Sequence, residues 1–184
     1  MATMAGNEWT DSGAESDAED LQEVRRRRAE LLESITALEQ ALAAPGRQTR
    51  WAERVSAALL ELSGDFRDHV ALNEGPAGLN IRVIRSSPRL AHAVDRLTQD
   101  HVILTGLIEE LISLVGQVER SSERSDPTLG DPTLGDPTLG DPTLGDADEV
   151  RERGNALLTA LVRHRQRGAD LVYEAYTVDI GGQD

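Results

Sequence analysis

The chain has 184 residues, of which 19 are basic and 33 acidic, for a formal net charge of −14. Such a charge repels nucleic acid and anionic membrane surfaces, so neither is expected as a partner. Without cysteine, the chain excludes disulfides, thiolate metal sites and thiol catalysis. Hydrophobic residues make up 39% of the chain and aromatic residues only 3%, which predicts an aliphatic core of packed helices. The sequence shows neither a secretory signal nor an apolar run of membrane-spanning length, and we predict a cytoplasmic protein.

Residues 1–18 form an acidic segment that we predict to be a disordered tail. Residues 1–20 contain six carboxylates and no Lys or Arg. A segment of this kind buries too little apolar surface to offset the entropy lost on ordering. The folded domain is therefore expected to cover residues 19–182.

Apolar residues recur at alternating steps of three and four, which predicts four amphipathic helices over residues 20–43, 49–74, 88–119 and 147–176. Arg28 is the one polar residue on the first stripe, and we interpret it as a side chain that keeps its head in water. The alternative is an inward cation paired with a carboxylate on another helix. Residues 75–88 are predicted to be an irregular connector containing one extended turn. The fold class that follows is all-α, an up-down-up-down antiparallel four-helix bundle.

Residues 120–146 are predicted to be a flexible loop inserted in this bundle. The loop contains Asp-Pro-Thr-Leu-Gly repeated four times, from Asp126 to Gly145. Proline at every fifth position prevents a continuous helix, and a five-residue period matches no common solenoid repeat. We interpret the repeats as an expansion that a surface loop tolerates, with a partner-binding tract as the alternative.

Three of the four histidines lie on the inward stripes of three different helices. They are His69 on the second helix, His101 on the third and His164 on the fourth, whereas His92 lies off its stripe. Counting layers from the loop between the last two helices places His101 and His164 within about one layer of each other. Gly168, one turn after His164, leaves space beside that ring. Because neutral imidazole is the commonest ligand of first-row metals, this pattern predicts a metal site in the bundle core.

Several segments of the chain form a recognisable set of motifs. They are Trp51, Phe66, His69, Glu74-Gly75-Pro76, Gly78-Leu79, Asp100-His101, the run from His164 to Tyr176 and Val178-Asp179-Ile180-Gly181-Gly182. Together they resemble one branch of the bacterial hemerythrin-like (HHE cation-binding) proteins, over roughly residues 20–180 apart from the repeats. The resemblance implies a four-helix bundle with a non-haem di-iron centre that binds dioxygen or takes part in responses to oxygen, nitric oxide or iron.

The family's ligand set of five histidines, one Glu and one Asp is only partly present. Arg28 occupies the inward polar position of the first helix, where the family supplies a histidine, and His101 has no second histidine four residues away. Asn73 stands at the position of the family's Glu and Ala169 at that of its Asp. The resemblance therefore implies a single ion, iron or zinc, bound by His69, His101, His164 and Glu74.

A metal-free bundle of the same ancestry is the alternative. In that case the histidines are hydrogen-bonded core residues, and the role is structural or protein-binding. An enzyme is less expected, because the sequence lacks a nucleophile elbow, a phosphate loop or another reaction motif. Dioxygen or nitric oxide is the small-molecule partner that the metal-binding interpretation implies, and the sequence does not predict an oligomeric state.

Overall fold

A computed structural model of the chain describes residues 11–45, 50–76, 78–124 and 142–177, and within these ranges every regular element is helical. This confirms the all-α class. The long helices are α1 (Asp11–Ala43), α2 (Trp51–Glu74), α4 (Ala91–Arg124) and α5 (Pro142–Thr177). Between α2 and α4 lie the short helix α3 (Leu79–Ser86) and a 3₁₀ turn, Pro88–Leu90. The long helices pack together into a bundle in which α1 contacts α5 over a shorter stretch than it contacts α2.

The apolar stripes of α2, α4 and α5 are the faces that the bundle buries. On α1, Leu38 and Leu42 are buried, whereas Arg28 is exposed. The prediction that Arg28 keeps its head in water is therefore confirmed. The stripe that leads from the 3₁₀ turn into α4 is buried throughout, at Leu90, Val94, Leu97, His101, Leu104, Ile108, Leu111, Val115 and Val118.

Helices α1 and α5 both begin earlier than the sequence predicts. Helix α1 starts at Asp11, inside the segment expected to be a disordered tail, and α5 starts at Pro142, inside the last repeat. The sequence at the start of α1 is acidic, and acidic residues favour the first turn of a helix because of its dipole. Proline is favoured in the first turn of a helix, where it lacks only an N–H that has no helical partner. The predicted tail residues 1–10, repeat residues 126–141 and residues 178–182 lie outside the described residues.

The connector between α2 and α4 is helical, so the predicted extended turn is wrong. Helix α2 ends where the Gly75 N–H donates to Ala71 O at 2.9 Å, and Leu79–Ser86 then forms α3. A lone strand here would leave its backbone groups without partners, whereas a helix satisfies them internally. Val83 and Ile84 of α3 pack against an apolar cluster that contains Leu90, Leu97 and Leu171.

Two apolar clusters divide the interior, and the boundary between them is where the histidines lie. The larger cluster contains residues of all four long helices, including Leu38, Phe66, Leu104 and Leu161. The smaller cluster consists of Leu90, Val94, Leu97 and Leu171. Along α4, His101 comes between Leu97 of one cluster and Leu104 of the other, and along α5 His164 comes between Leu161 and Leu171. The polar centre therefore has a packed apolar layer on each side.

The stretch Pro88–Ser121 is long and apolar enough to cross a membrane, judged by length and composition alone. The sequence analysis did not anticipate such a stretch. Its apolar positions include the buried stripe of α4, which faces the other helices of the bundle. About 33% of the apolar window is buried in the bundle, while Val102 and Ile103 are exposed, so burial accounts for only part of this apolar character.

Candidate metal centre

The rings of His69, His101 and His164 meet in the bundle interior. Their centroids lie 5.3 Å apart for His69 and His101, 5.4 Å for His69 and His164, and 4.7 Å for His101 and His164. The expected proximity of His101 and His164 is therefore confirmed. One ring nitrogen from each histidine lies within 4.8 Å of the other two, and no described carboxylate belongs to this group.

Each ring comes from a different helix, and Phe66 packs against all three. The Phe66 ring stacks on His69 at a centroid distance of 5.8 Å and meets His101 and His164 edge-on at 5.9 and 6.2 Å. Phe66 is itself buried, as are His101 and His164, while His69 is half-buried. Because α2 places Phe66 one turn before His69, this aromatic side chain restricts the space available to all three imidazoles.

Glu74 is a hydrogen-bond partner of one histidine. Its Oε1 lies 2.5 Å from His101 Nδ1. An ionised carboxylate can only accept, so His101 donates its Nδ1–H and retains the lone pair on Nε2. The sequence analysis assigned Glu74 as a direct fourth ligand; in the structure its carboxylate contacts His101 Nδ1 and lies outside the group of three ring nitrogens.

Asp100 occupies a similar position behind His164. Its Oδ2 lies 3.5 Å from His164 Nδ1, at the outer limit of a hydrogen bond. The same oxygen accepts from Arg167 Nε at 2.8 Å and pairs with Arg167 Nη2 at 2.6 Å, so it is held in place from the surface side. Carboxylates behind metal-binding histidines fix the tautomer and the ring orientation and raise the basicity of the ligand.

His69 is oriented differently, through Asn73 one turn further along α2. The Asn73 amide donates to the His69 backbone oxygen at 2.7 Å and lies 3.4–3.5 Å from the ring nitrogens. His69 Nε2 points at His164 Nε2, 3.2 Å away. Among the described residues, no carboxylate hydrogen-bonds to His69 and fixes its tautomer.

Burial favours the uncharged form of two rings of this cluster, His69 and His164. Desolvation, together with the neighbouring His101, His164 and Arg28, lowers the pKa of His69 from 6.5 to about 3. Burial and His101 also lower the pKa of His164, against a smaller opposing effect of Asp100. Neutral imidazoles have lone pairs available, which is the form that binds metal ions.

The separation of one pair of ring nitrogens suits a tetrahedral ion, whereas the three nitrogens together lie within 4.8 Å of one another. Zinc–nitrogen bonds of ~2.0–2.1 Å at tetrahedral angles separate two ligand nitrogens by roughly 3.3–3.4 Å. The 3.2 Å between the Nε2 atoms of His69 and His164 is close to this separation. Three protein nitrogens leave one tetrahedral position for a further ligand.

All three rings line a cavity of about 460 Å³. Gly168 also borders it, and a Cβ added at Gly168 would meet no atom within 4 Å. The expected open space beside His164 is therefore confirmed. The exposed His92 is not part of this cavity wall, as its position off the α4 stripe predicted.

Sequence reasoning missed the roles of Phe66, Asp100 and Arg167. The sequence analysis named Phe66 only as a feature of the family resemblance, although its i, i+3 spacing from His69 indicates that the two rings lie on one face. Arg167 follows His164 by three residues, which is the same neighbour spacing. The ion pair between Asp100 and Arg167 joins α4 to α5. Its prediction would have required knowledge of how these two helices pack.

Comparison of the chain with protein-family models, curated proteins and solved structures finds no match. Function must therefore be inferred from the side chains at this centre.

Proposed function

We propose that this chain binds one divalent first-row metal ion through His69, His101 and His164. The observation that carries the proposal is the convergence of one ring nitrogen from each histidine within 4.8 Å of the others. Two further features support it, namely the carboxylates of Glu74 and Asp100 behind two of the rings. Imidazoles backed by carboxylates are the usual arrangement at protein metal sites.

Zinc suits this donor set better than iron. Three neutral imidazoles with an open fourth position are a known zinc arrangement, whereas mononuclear non-haem iron sites commonly combine two histidines with a carboxylate. A bridged di-iron pair requires more ligands than three rings supply. We therefore propose one ion per chain, with the fourth position open to water or a small ligand.

The same proposal includes an up-down-up-down helix order of the hemerythrin-like kind. Two contacts of α1 support antiparallel neighbours: Arg27 pairs with Asp68 near the end of α2, and Arg151 Nε donates to Leu42 O at 3.3 Å. The first contact joins an early part of α1 to a late part of α2. The second joins the end of α1 to an early part of α5.

In an iron-loaded form, dioxygen or nitric oxide would be the ligand of the open position.

The test is the metal content and thermal stability of the full chain. Protein purified without chelator, or reconstituted with zinc, iron or manganese, should contain up to about one ion per chain, as expected from its three ligands. Added metal should raise the melting temperature, because it binds the folded bundle in preference to the unfolded chain. Alanine substitution at His69, His101 or His164 should abolish the increase.

His92→Ala is the matched control, because His92 is exposed and does not line the cavity that contains the three rings. It should retain both metal content and metal-dependent stabilisation. A wild-type protein that stays metal-free after reconstitution with all three metals would reject the proposal.

A metal-free structural role is the second candidate, and one observation favours it. The 3.2 Å contact between the Nε2 atoms of His69 and His164 is also a satisfactory hydrogen bond between two neutral rings. In this case the three alanine variants would lose stability equally with and without added metal.

A further inference from the structure

The wall of the cavity beside the histidines has a charge opposite to that of the chain as a whole. Two arginines, Arg28 of α1 and Arg165 of α5, line it, and among the described residues no Asp or Glu does. The chain as a whole has 33 acidic residues and 19 basic ones. A cavity that carries only positive formal charge in so acidic a chain is suited to an anionic group.

Some arginines of the bundle have carboxylate partners and others do not. Arg26, Arg27, Arg151, Arg153 and Arg167 each form an ion pair with a carboxylate. Among the residues that the structure describes, neither Arg28 nor Arg165 has an ion pair or a side-chain hydrogen bond. Both residues are exposed, and no carboxylate partner competes with an anion for them.

Most of the remaining wall is aliphatic. Leu31 and Ile35 contribute from α1, Val83 from α3, Leu97 from α4, and Leu171 and Val172 from α5. The volume of about 460 Å³ lies within the size range of small-molecule sites. It is many times the ~30 Å³ that one water molecule occupies in the liquid, so a molecule of about ten non-hydrogen atoms fits.

We propose that this cavity binds an amphipathic carboxylic acid, with its carboxylate at Arg28 and Arg165 and its aliphatic tail among the apolar side chains. A guanidinium group matches a carboxylate in geometry as well as in charge. Burial of the aliphatic tail against the apolar wall adds to the binding free energy. An inorganic anion has no tail and would not gain this contribution. The site shares the cavity with the three histidines but does not require a metal ion.

The test uses the full chain after removal of metal by a chelator, so that its result is independent of metal binding. Isothermal titration calorimetry with sodium octanoate should show saturable binding of one molecule per chain. Octanol, which has the tail without the charge, should bind more weakly, and acetate, which has the charge without the tail, should not bind measurably.

Variants of the two arginines locate the carboxylate. Arg28→Gln and Arg165→Gln should each weaken octanoate binding about three- to five-fold, at the upper end for a solvent-exposed ion pair. Arg25→Gln and Arg163→Gln are matched controls, because these exposed arginines lie on the same two helices and do not line the cavity. Their affinity for octanoate should equal that of the wild type.

Filling the cavity gives a second, independent test. Gly168→Leu places a side chain in the open space beside His164 and should abolish octanoate binding while circular dichroism remains helical. If that variant does not fold, the arginine variants still decide the outcome. The proposal fails if octanoate shows no saturable binding to the wild type or if octanol binds as tightly as octanoate. It also fails if the Arg28 and Arg165 variants bind octanoate with the same affinity as the control variants.

Discussion

The Nε2 atoms of His69 and His164 lie 3.2 Å apart, although 95 positions separate the two residues in the chain. The carboxylate of Asp100, 3.5 Å from His164 Nδ1, favours the tautomer of His164 with its proton on Nδ1 and a lone pair on Nε2. With that tautomer, His69 would donate its own Nε2–H across this contact in the metal-free protein. Binding of a metal between the rings would require the His69 proton to move to Nδ1, so the two states differ in the tautomer of one residue.

Replacing the carboxylates behind the rings should weaken metal binding without removing it. We expect Glu74→Gln and Asp100→Asn each to raise the dissociation constant for zinc ~10–100-fold, as second partners of metal ligands do elsewhere. Competition with a chromophoric chelator measures this constant. Glu61→Gln and Asp95→Asn, exposed positions on the same two helices, are the controls. Complete loss of binding in Glu74→Gln would indicate instead that Glu74 binds the metal directly.

The metal-free protein should lose stability as the pH falls below about 6.5. The pKa of His69 is about 3 in the folded protein, compared with 6.5 for an unperturbed histidine, so the unfolded chain binds the proton more tightly. The stabilisation from neutral His69 is therefore complete above the unfolded pKa and decreases as pH falls towards the folded one. At pH 5 this decrease amounts to about 2 kcal/mol for His69.

The lowered pKa of His164 acts in the same direction. Urea unfolding in the presence of a chelator at pH 7 and pH 5 measures the change in unfolding free energy. Wild type should lose more stability between these pH values than His69→Gln does, and the difference isolates the contribution of His69. Equal losses in the two proteins would show that His69 titrates normally in the folded state.

Two glycines of α5 should respond oppositely to alanine. A Cβ at Gly154 would lie 2.5 Å from Leu42 Cδ1 in the buried core, so we expect Gly154→Ala to destabilise by ~1–3 kcal/mol through overpacking. A Cβ at Gly168 meets open space, and Gly168→Ala should stabilise by ~0.5–1 kcal/mol through helix propensity. Thermal or urea unfolding measures both. Destabilisation by Gly168→Ala would mean that the cavity wall is more tightly packed than described.

Removing two of the repeats should leave the bundle stable. Deleting residues 126–135 shortens the segment between α4 and α5 but preserves Pro142, where α5 begins. The closure entropy of such a connection changes with the logarithm of its length, so we expect a change below about 1 kcal/mol in unfolding free energy. Circular dichroism and thermal melting check this. A large loss of helicity would show that the deleted residues pack against the bundle.

The sequence predicted most of the helical architecture because the stripes repeat without interruption. Leu104, His101 and His164 are buried where the spacing placed them, since a helix face is determined by local period alone. The helix starts were less predictable. Asp11 and Pro142 lie in polar or repeated segments in which apolar periodicity gives no signal, and the capping and dipole effects that favour a start there are small.

The site was predictable only in part, for a related physical reason. Periodicity identifies which side chains point inward, so the three histidines were found. The position of Glu74 behind His101 depends on how α2 ends beside α4, a relationship between two helices that no single stripe contains. The Asp100–Arg167 ion pair depends in the same way on the packing of α4 against α5.

The three rings come from α2, α4 and α5, and α1 contributes none. A metal bound to these rings would therefore act as a non-covalent crosslink between chain positions far apart in sequence, and would join three of the four long helices into one cooperative unit. Amide hydrogen exchange should detect this, because segments that open together exchange together. Metal should slow exchange in α2, α4 and α5 to a common rate, while α1, which supplies no ligand, should be slowed less.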